Sequence, residues 1–156
     1  MSRVKKSAAV AALGIGVIGA AEGLRQTAYP DPATRGHPWT ICYGHTGGVK
    51  PGERLSMEAC KALLIADMDK QGDMIERCIP ALQTAPVERY VAILSISFNV
   101  GAGTVCRSSI ARDLNAGRVR AACDDLLKFN RAAGIVFPGL TRRREAERRL
   151  CLTGLD

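Results

Sequence analysis

The spacing of apolar and polar positions divides the chain into a helix, a turn-rich segment, a long helix and a helical remainder. Arg3, Lys5 and Lys6 precede an uncharged run from Ser7 to Ala21. Ala and Gly dominate that run, and Leu13, Ile15, Val17 and Ile18 are its large members. In residues 27–54, Pro30-Asp31-Pro32, Arg35-Gly36-His37-Pro38 and Gly47-Gly48 punctuate turns. Between them Trp39-Thr40-Ile41-Cys42-Tyr43 reads as a strand, so a small β-hairpin or three-stranded sheet is predicted. Ser56 is suited to cap a helix over 57–78, in which Leu63, Leu64, Met68 and Ile75 recur at helical spacing, and Pro80 ends it. Pro86 to Asn99 is apolar nearly all round and is expected to form a central, buried helix. Shorter helices follow at about 107–115 and 119–129 around Asn115-Ala116-Gly117, and a last one at 141–151 carries five arginines. The expected class is α+β, mainly α.

At 156 residues the chain fits one domain, or one domain of two lobes. Its formal net charge of +7 favours a polyanionic partner: nucleic acid, anionic lipid or a bacterial wall polymer. Nucleic acid is disfavoured, because there is no zinc-finger spacing and only three Phe, three Tyr and one Trp are available for base stacking. Six cysteines, at 42, 60, 78, 106, 123 and 151, are dispersed and lack any C-x-x-C pair. With only two histidines besides, no metal or cofactor is expected. The even cysteine count suggests up to three disulfides and an oxidising compartment, the alternative being buried free thiols in a cytosolic protein. Six cysteines allow fifteen connectivities, and the sequence alone does not pick one; a short helical hairpin could bring Cys106 and Cys123 together, and Cys42–Cys60 and Cys78–Cys151 would complete that set.

The N-terminus has the form of an export signal, a basic head before an apolar stretch. The stretch is shorter than the roughly 20 residues of a comfortable membrane span. Cleavage after Ala21 would leave Glu22 as a new N-terminus, without the helix needed to hold it. Residues 1–21 therefore read as an uncleaved, marginal signal anchor, and 22–156 as the catalytic domain. With so little apolar area, the anchor can leave the bilayer again. A cleaved signal peptide and a buried helix of a cytosolic protein remain open as alternatives.

Glu22 closes the apolar stretch, and Asp31 follows in a polar, proline-bracketed turn. Apolar surroundings favour the protonated form of a carboxyl and polar ones the ionised form, so two carboxylates in contrasting settings fit acid and base roles in glycoside hydrolysis. Around them stand Glu22-Gly23-Leu24-Arg25, Ala28-Tyr29-Pro30-Asp31 and Trp39-Thr40-Ile41-Cys42-Tyr43-Gly44-His45-Thr46. Further on come Phe98-Asn99-Val100-Gly101-Ala102-Gly103, Leu114-Asn115-Ala116-Gly117, Gly139-Leu140 and Arg142-Arg143-Arg144-Glu145-Ala146-Glu147-Arg148.

This ordered set, over roughly residues 20–152, resembles the phage-type lysozymes, the endolysins of T-even and lambdoid phages (glycoside hydrolase family 24). The resemblance implies a lysozyme-like, two-lobed fold: a small sheet lobe and a helical lobe joined by a long helix. It implies an endolysin that hydrolyses the β-1,4 bond between N-acetylmuramic acid and N-acetylglucosamine in peptidoglycan. Glu22 would be the general acid, Asp31 the base for water and Thr40 a holder of that water, with inversion at the anomeric carbon. The loop from Asp31 to Thr40 is longer than in the shortest family members. Phe98, Asn99 and Ser109 match cleft-lining positions, Arg142 is a candidate substrate contact, and one arginine among 142–144 is expected to pair with Glu22. His45 is read as structural and His37 as a loop residue.

The weak, Ala/Gly-rich segment before Glu22 resembles that of signal-arrest-release endolysins, which implies an inner-membrane tether through residues 7–21, then release into the periplasm. No cysteine precedes Cys42, so release would need no thiol exchange with the anchor. A monomer without nucleic acid is expected. Three other classes compete: an inactive wall-binding module, which intact Glu22, Asp31 and Thr40 disfavour; a lytic transglycosylase, which needs no Asp31; and a basic nucleic-acid binder, which leaves the export segment unexplained.

Overall fold

The computed structural model describes residues 1–32 and 35–155. A one-turn helix, α1 (Arg3–Lys6), leads through Ser7 into α2 (Ala8–Glu22), whose first turn is capped by the Ser7 hydroxyl accepting from Val10 N. Gly23, at φ 73°, ends α2 and turns the chain into β1 (Arg25–Pro30). β1 pairs antiparallel with β2 (Trp39–Cys42), and residues 53–55 add a partial third strand through Ala28 N–Glu53 O and Leu55 N–Gln26 O bonds. The sheet is thus two strands plus a bridging segment, where the sequence allowed a hairpin or three strands.

The long helix α3 (Met57–Cys78) has the expected bounds, and Ser56 Oγ accepts from Ala59 N at 3.1 Å. Its N-terminal end belongs to the sheet lobe: Cys60 is buried with Ala28, Ile41 and Cys42, and Leu63 packs against them. Further along, Leu64, Met68 and Ile75 enter the main core. One helix therefore ties two apolar clusters together, which is what makes the molecule two-lobed.

That main core is organised on α4 (Val87–Val100), where Tyr90 through Ser97 are all buried. α4 packs against α2, α3, the short α5 (Ala102–Cys106) and α8 (Pro138–Cys151). The expected helix at 107–115 begins two residues later, as α6 (Ser109–Asn115), and the one at 119–129 is α7 (Val119–Asp125) with a 3₁₀ turn at Leu126–Lys128. A two-residue hairpin, β3 (Arg131–Ala132) and β4 (Ile135–Val136), was not foreseen. α8 starts at Pro138, three residues earlier than expected, because proline is accommodated in a first helical turn.

Cys42–Cys60 joins β2 to α3, as the sequence suggested. The other expected pairings, Cys78–Cys151 and Cys106–Cys123, are wrong. The structure joins Cys78 to Cys106 and Cys123 to Cys151, with Cα separations of 5.6 and 5.7 Å. The end of α3 meets α5, and α7 lies against the end of α8, so each cysteine finds its partner on a neighbouring helix. Among the described residues, no helix is long and apolar enough to cross a membrane.

Candidate active site

Glu22 is the last residue of α2, and its partly exposed carboxylate sits where that helix meets α8 and the turn after β2. On one side, Arg143 Nη2 donates to Glu22 Oε1 at 3.0 Å. On the other, a methyl group placed on Gly44 would lie 3.6 Å from Glu22 Oε2, so that turn passes within contact of the carboxylate. Arg143 is itself held from below: its Nη2 also donates to Ser95 O at 3.2 Å, and its Nε donates to Glu147 Oε1 at 3.3 Å. Of the three arginines in Arg142–Arg144, then, Arg143 pairs with Glu22.

Arg142 is exposed and borders an apolar cavity of about 540 Å³ between α2 and α8, with Val17, Ala20 and Ala21 opposite. Arg144 turns inward and is fully buried; its Nη1 donates to Asn99 Oδ1 at 2.8 Å. Burial pulls the Arg144 guanidinium below its ordinary pKa, against the opposing pull of the Glu147 charge and hydrogen bond. Asn99, an expected cleft residue, is thus anchored to α8.

Thr40 and Asp31 belong to the hairpin. Thr40 lies in β2 opposite Tyr29 and is buried, its hydroxyl 3.4 Å from Pro38 O. Asp31 follows β1 directly, one residue past Pro30, which pairs with Trp39. Glu22 lies at the opposite end of the hairpin, beyond the Arg25–Cys42 pair. Between the Arg25–Cys42 and Tyr29–Thr40 pairs, three residues of β1 oppose one of β2, Ile41.

Phe98 faces a polar cavity of about 300 Å³ that it shares with Gly44, His45, Asp67, Lys70 and Gln71. His45 Nδ1 lies 2.8 Å from Asp67 Oδ2 and its Nε2 lies 3.0 Å from Gly47 O, so the ring ties the turn to α3, a structural role. Ser109, at the start of α6, hydrogen-bonds Asp125. The sequence reading passed over Ser95, Gly44 and Glu147 as site residues. Only Glu147 carried a usable signal, lying four residues after Arg143 on one face of α8. Among the described residues, no group of His, Cys, Asp and Glu could hold a metal ion.

A small sheet lobe and a helical lobe on one long helix, with a glutamate ending the first long helix at their junction, define a lysozyme-type glycoside hydrolase. The Phage lysozyme family model matches residues 19–147. The chain belongs to the phage lysozyme family. It is 37% identical over 134 residues to a SAR-endolysin of Bacteriophage PS119, covering 85% of this chain and 77% of that protein. It is 37% identical over 142 residues to an endolysin of Bacillus phage B103, covering 90% of this chain but only 53% of that one. The chain thus spans about half the length of the Bacillus phage protein. The solved active form of P1 phage endolysin Lyz matches 96% of this chain, and 86% of its own, at 34% identity and a TM-score of 0.75. The secreted inactive form of Lyz matches 70% of this chain, and 77% of its own, at 31% identity and a TM-score of 0.50.

Proposed function

We propose that this chain is an endolysin that hydrolyses the β-1,4 bond between N-acetylmuramic acid and N-acetylglucosamine in host peptidoglycan. The observation that carries the reading is the Glu22 carboxylate, held by Arg143 at the junction of the two lobes and still partly exposed. Glu22 donates a proton to the leaving glycosidic oxygen. Asp31 takes a proton from the attacking water, and the Thr40 hydroxyl holds that water. Inversion needs about 6.5–9.5 Å between the carboxyls to admit the water. Phe98, Asn99, Ser109 and Arg142 line the path of the glycan, and the net charge of +7 suits an anionic polymer.

The N-terminal segment follows the SAR-endolysin relatives: residues 7–21 tether the chain to the inner membrane during export, and release places it in the periplasm as a monomer. The better match to the active than to the inactive form of Lyz supports reading the docked α2 as the assembled state.

Turbidity of chloroform-treated Gram-negative cells tests the reading. The parent chain is expected to clear them and Glu22→Gln to clear them at least ~100-fold more slowly, the usual scale of lost acid catalysis. Products should carry a reducing end of α configuration. A 1,6-anhydro end would instead mark a transglycosylase, and an active Glu22→Gln would remove Glu22 from the proton-donor role.

A further inference from the structure

We propose that Glu147 is a positioning residue for the acid: it acts through Arg143 to set the orientation and proton affinity of Glu22. This rests on the reading of Glu22 as proton donor. Glu147 is 2% exposed, and nothing in the hydrolysis requires a second carboxylate beneath the site. Yet its Oε1 accepts three hydrogen bonds: from Ser95 Oγ at 2.6 Å, Arg144 Nη2 at 2.9 Å and Arg143 Nε at 3.3 Å. Its Oε2 lies 2.7 Å from Arg144 Nε, at an angle that makes the contact an ion pair rather than a hydrogen bond. Buried carboxylates are kept only when paired, and this one is paired with both arginines.

Arg143 is the shared member. Its fork addresses Glu147 with Nε and Glu22 with Nη2, 16% exposed and fixed at both ends. Two carboxylates and two guanidiniums therefore form one electroneutral unit. Remove the Glu147 charge and two guanidiniums face Glu22 alone. Added positive potential favours the ionised carboxylate, which is the wrong state for an acid. The other surroundings of Glu22 do not supply this balance. On α4, the neutral Ser95 accepts from Arg143 through its carbonyl, and the neutral Asn99 accepts from Arg144. From the turn after β2 Glu22 faces the Gly44 backbone and then His45, which is engaged with Asp67 of α3. From the hairpin come Arg25, stacked on Tyr29, and Asp31 at the far end. Glu147 is the carboxylate that shares the Arg143 guanidinium with Glu22.

The test is the pH profile of kcat/KM on soluble peptidoglycan fragments for the parent, Glu147→Gln and Glu147→Asp, with Glu22→Gln alongside. Glu147→Gln keeps the shape and loses the charge. The alkaline limb, where the acid loses its proton, is expected to move toward acid by on the order of one pH unit, the size of a lost neighbouring charge. Glu147→Asp keeps the charge on a shorter arm, so its limb should stay in place while kcat falls several-fold and KM holds.

If Glu147→Gln lowers only the melting temperature and leaves the limb where it was, the residue is structural and the proposal fails. If Glu147→Gln does not fold, Glu147→Asp decides: unchanged kcat overturns the proposal, and a kcat loss at constant KM upholds it. Should Glu22→Gln retain activity, it is the acid assignment that has failed, independently of Glu147.

Discussion

α2 and α4 both read as apolar helices in the sequence, and they pack against each other, yet they are held in place by different physics. α4 is surrounded: eight consecutive residues, Tyr90 to Ser97, are buried, among them Val91, Ile93, Leu94 and Ile96. Its stability is that of removed apolar area. α2 buries only Val10, Gly14, Ile18 and Gly19, and its outer face is Ala12, Gly16, Ala20 and Ala21. Small residues let α2 approach α3 closely, with a methyl on Gly14 falling 2.9 Å from Met68 Sδ, but they remove little area from water.

What α2 lacks in area is supplied at its N-terminal tip by polar contacts. Ser2 is fully buried, and both its amide and its hydroxyl donate to Asp69 Oδ1 at 2.8 Å. Arg3 N donates to Glu76 Oε1, while the Arg3 guanidinium donates to Leu82 O and Ala85 O and stacks on Tyr90. The basic head that reads as an export signal is, in the folded chain, a clamp on α3 and α4. Because α2 ends in Glu22, that clamp also helps decide where the Glu22 carboxylate stands.

The contrast breaks most directly at the two cores. Leu94→Ala is expected to cost about 2–5 kcal/mol, the range for emptying a well-packed site. Val10→Ala removes fewer atoms from a thinner layer and should cost about 1 kcal/mol. Urea melts of both variants check this, and equal losses would mean that α2 is held as α4 is. A smaller but more pointed effect comes from Gly72→Ala. The new methyl would stand 2.6 Å from both Ser2 Oγ and Tyr90 Oη, so the tip must leave its seat. The expected cost is about 1–3 kcal/mol, with faster hydrogen exchange in residues 1–22 and little change in α4. Uniform loss of protection would show that the arm and core unfold as one.

The same division governs what the sequence disclosed. α3 and α4 were legible nearly to the residue, since long amphipathic or apolar runs with Ser56 and Pro80 as boundaries leave little choice. β2 was legible for its clustered aromatic and β-branched residues, and Cys42–Cys60 joins two elements adjacent in the chain. The other disulfides were not legible, because Cys78, Cys106, Cys123 and Cys151 all sit on helices, and only the helix crossings select among them. Two-residue strands such as β3 and β4 are too short to show alternation.

In the candidate site, Glu22, Asp31 and Thr40 stood out through ordered local motifs. Arg143 did not stand apart from Arg142 and Arg144: consecutive helical residues differ by about 100° in direction, and only the packing of α8 chooses the one that faces Glu22. The clamp was hidden for a related reason, since its partners lie 67 to 82 residues away along the chain.

The smallest expected effect probes the clamp through its charge. Burial pushes the Asp69 carboxyl upward in pKa, but the Ser2 hydroxyl and amide, and then Lys5, outweigh it, so the group lies below its ordinary value of 3.8. A depressed carboxyl pKa stabilises the fold above the unfolded-state value, and that contribution is lost as pH falls through the folded-state value. The Asp69 clamp is therefore fully in force at neutral pH and fades below about pH 4. Ser2→Ala removes one of the two donors, so the Asp69 resonance should titrate at higher pH by NMR while the core of α4 is undisturbed. The stability lost at neutral pH should be about 1 kcal/mol, the usual net value of one hydrogen bond. If Asp69 titrates as before in Ser2→Ala, the amide and Lys5 suffice to hold it. The tip would then be fixed by its backbone path rather than by the serine hydroxyl, and α2 would resemble α4 more than its composition suggests.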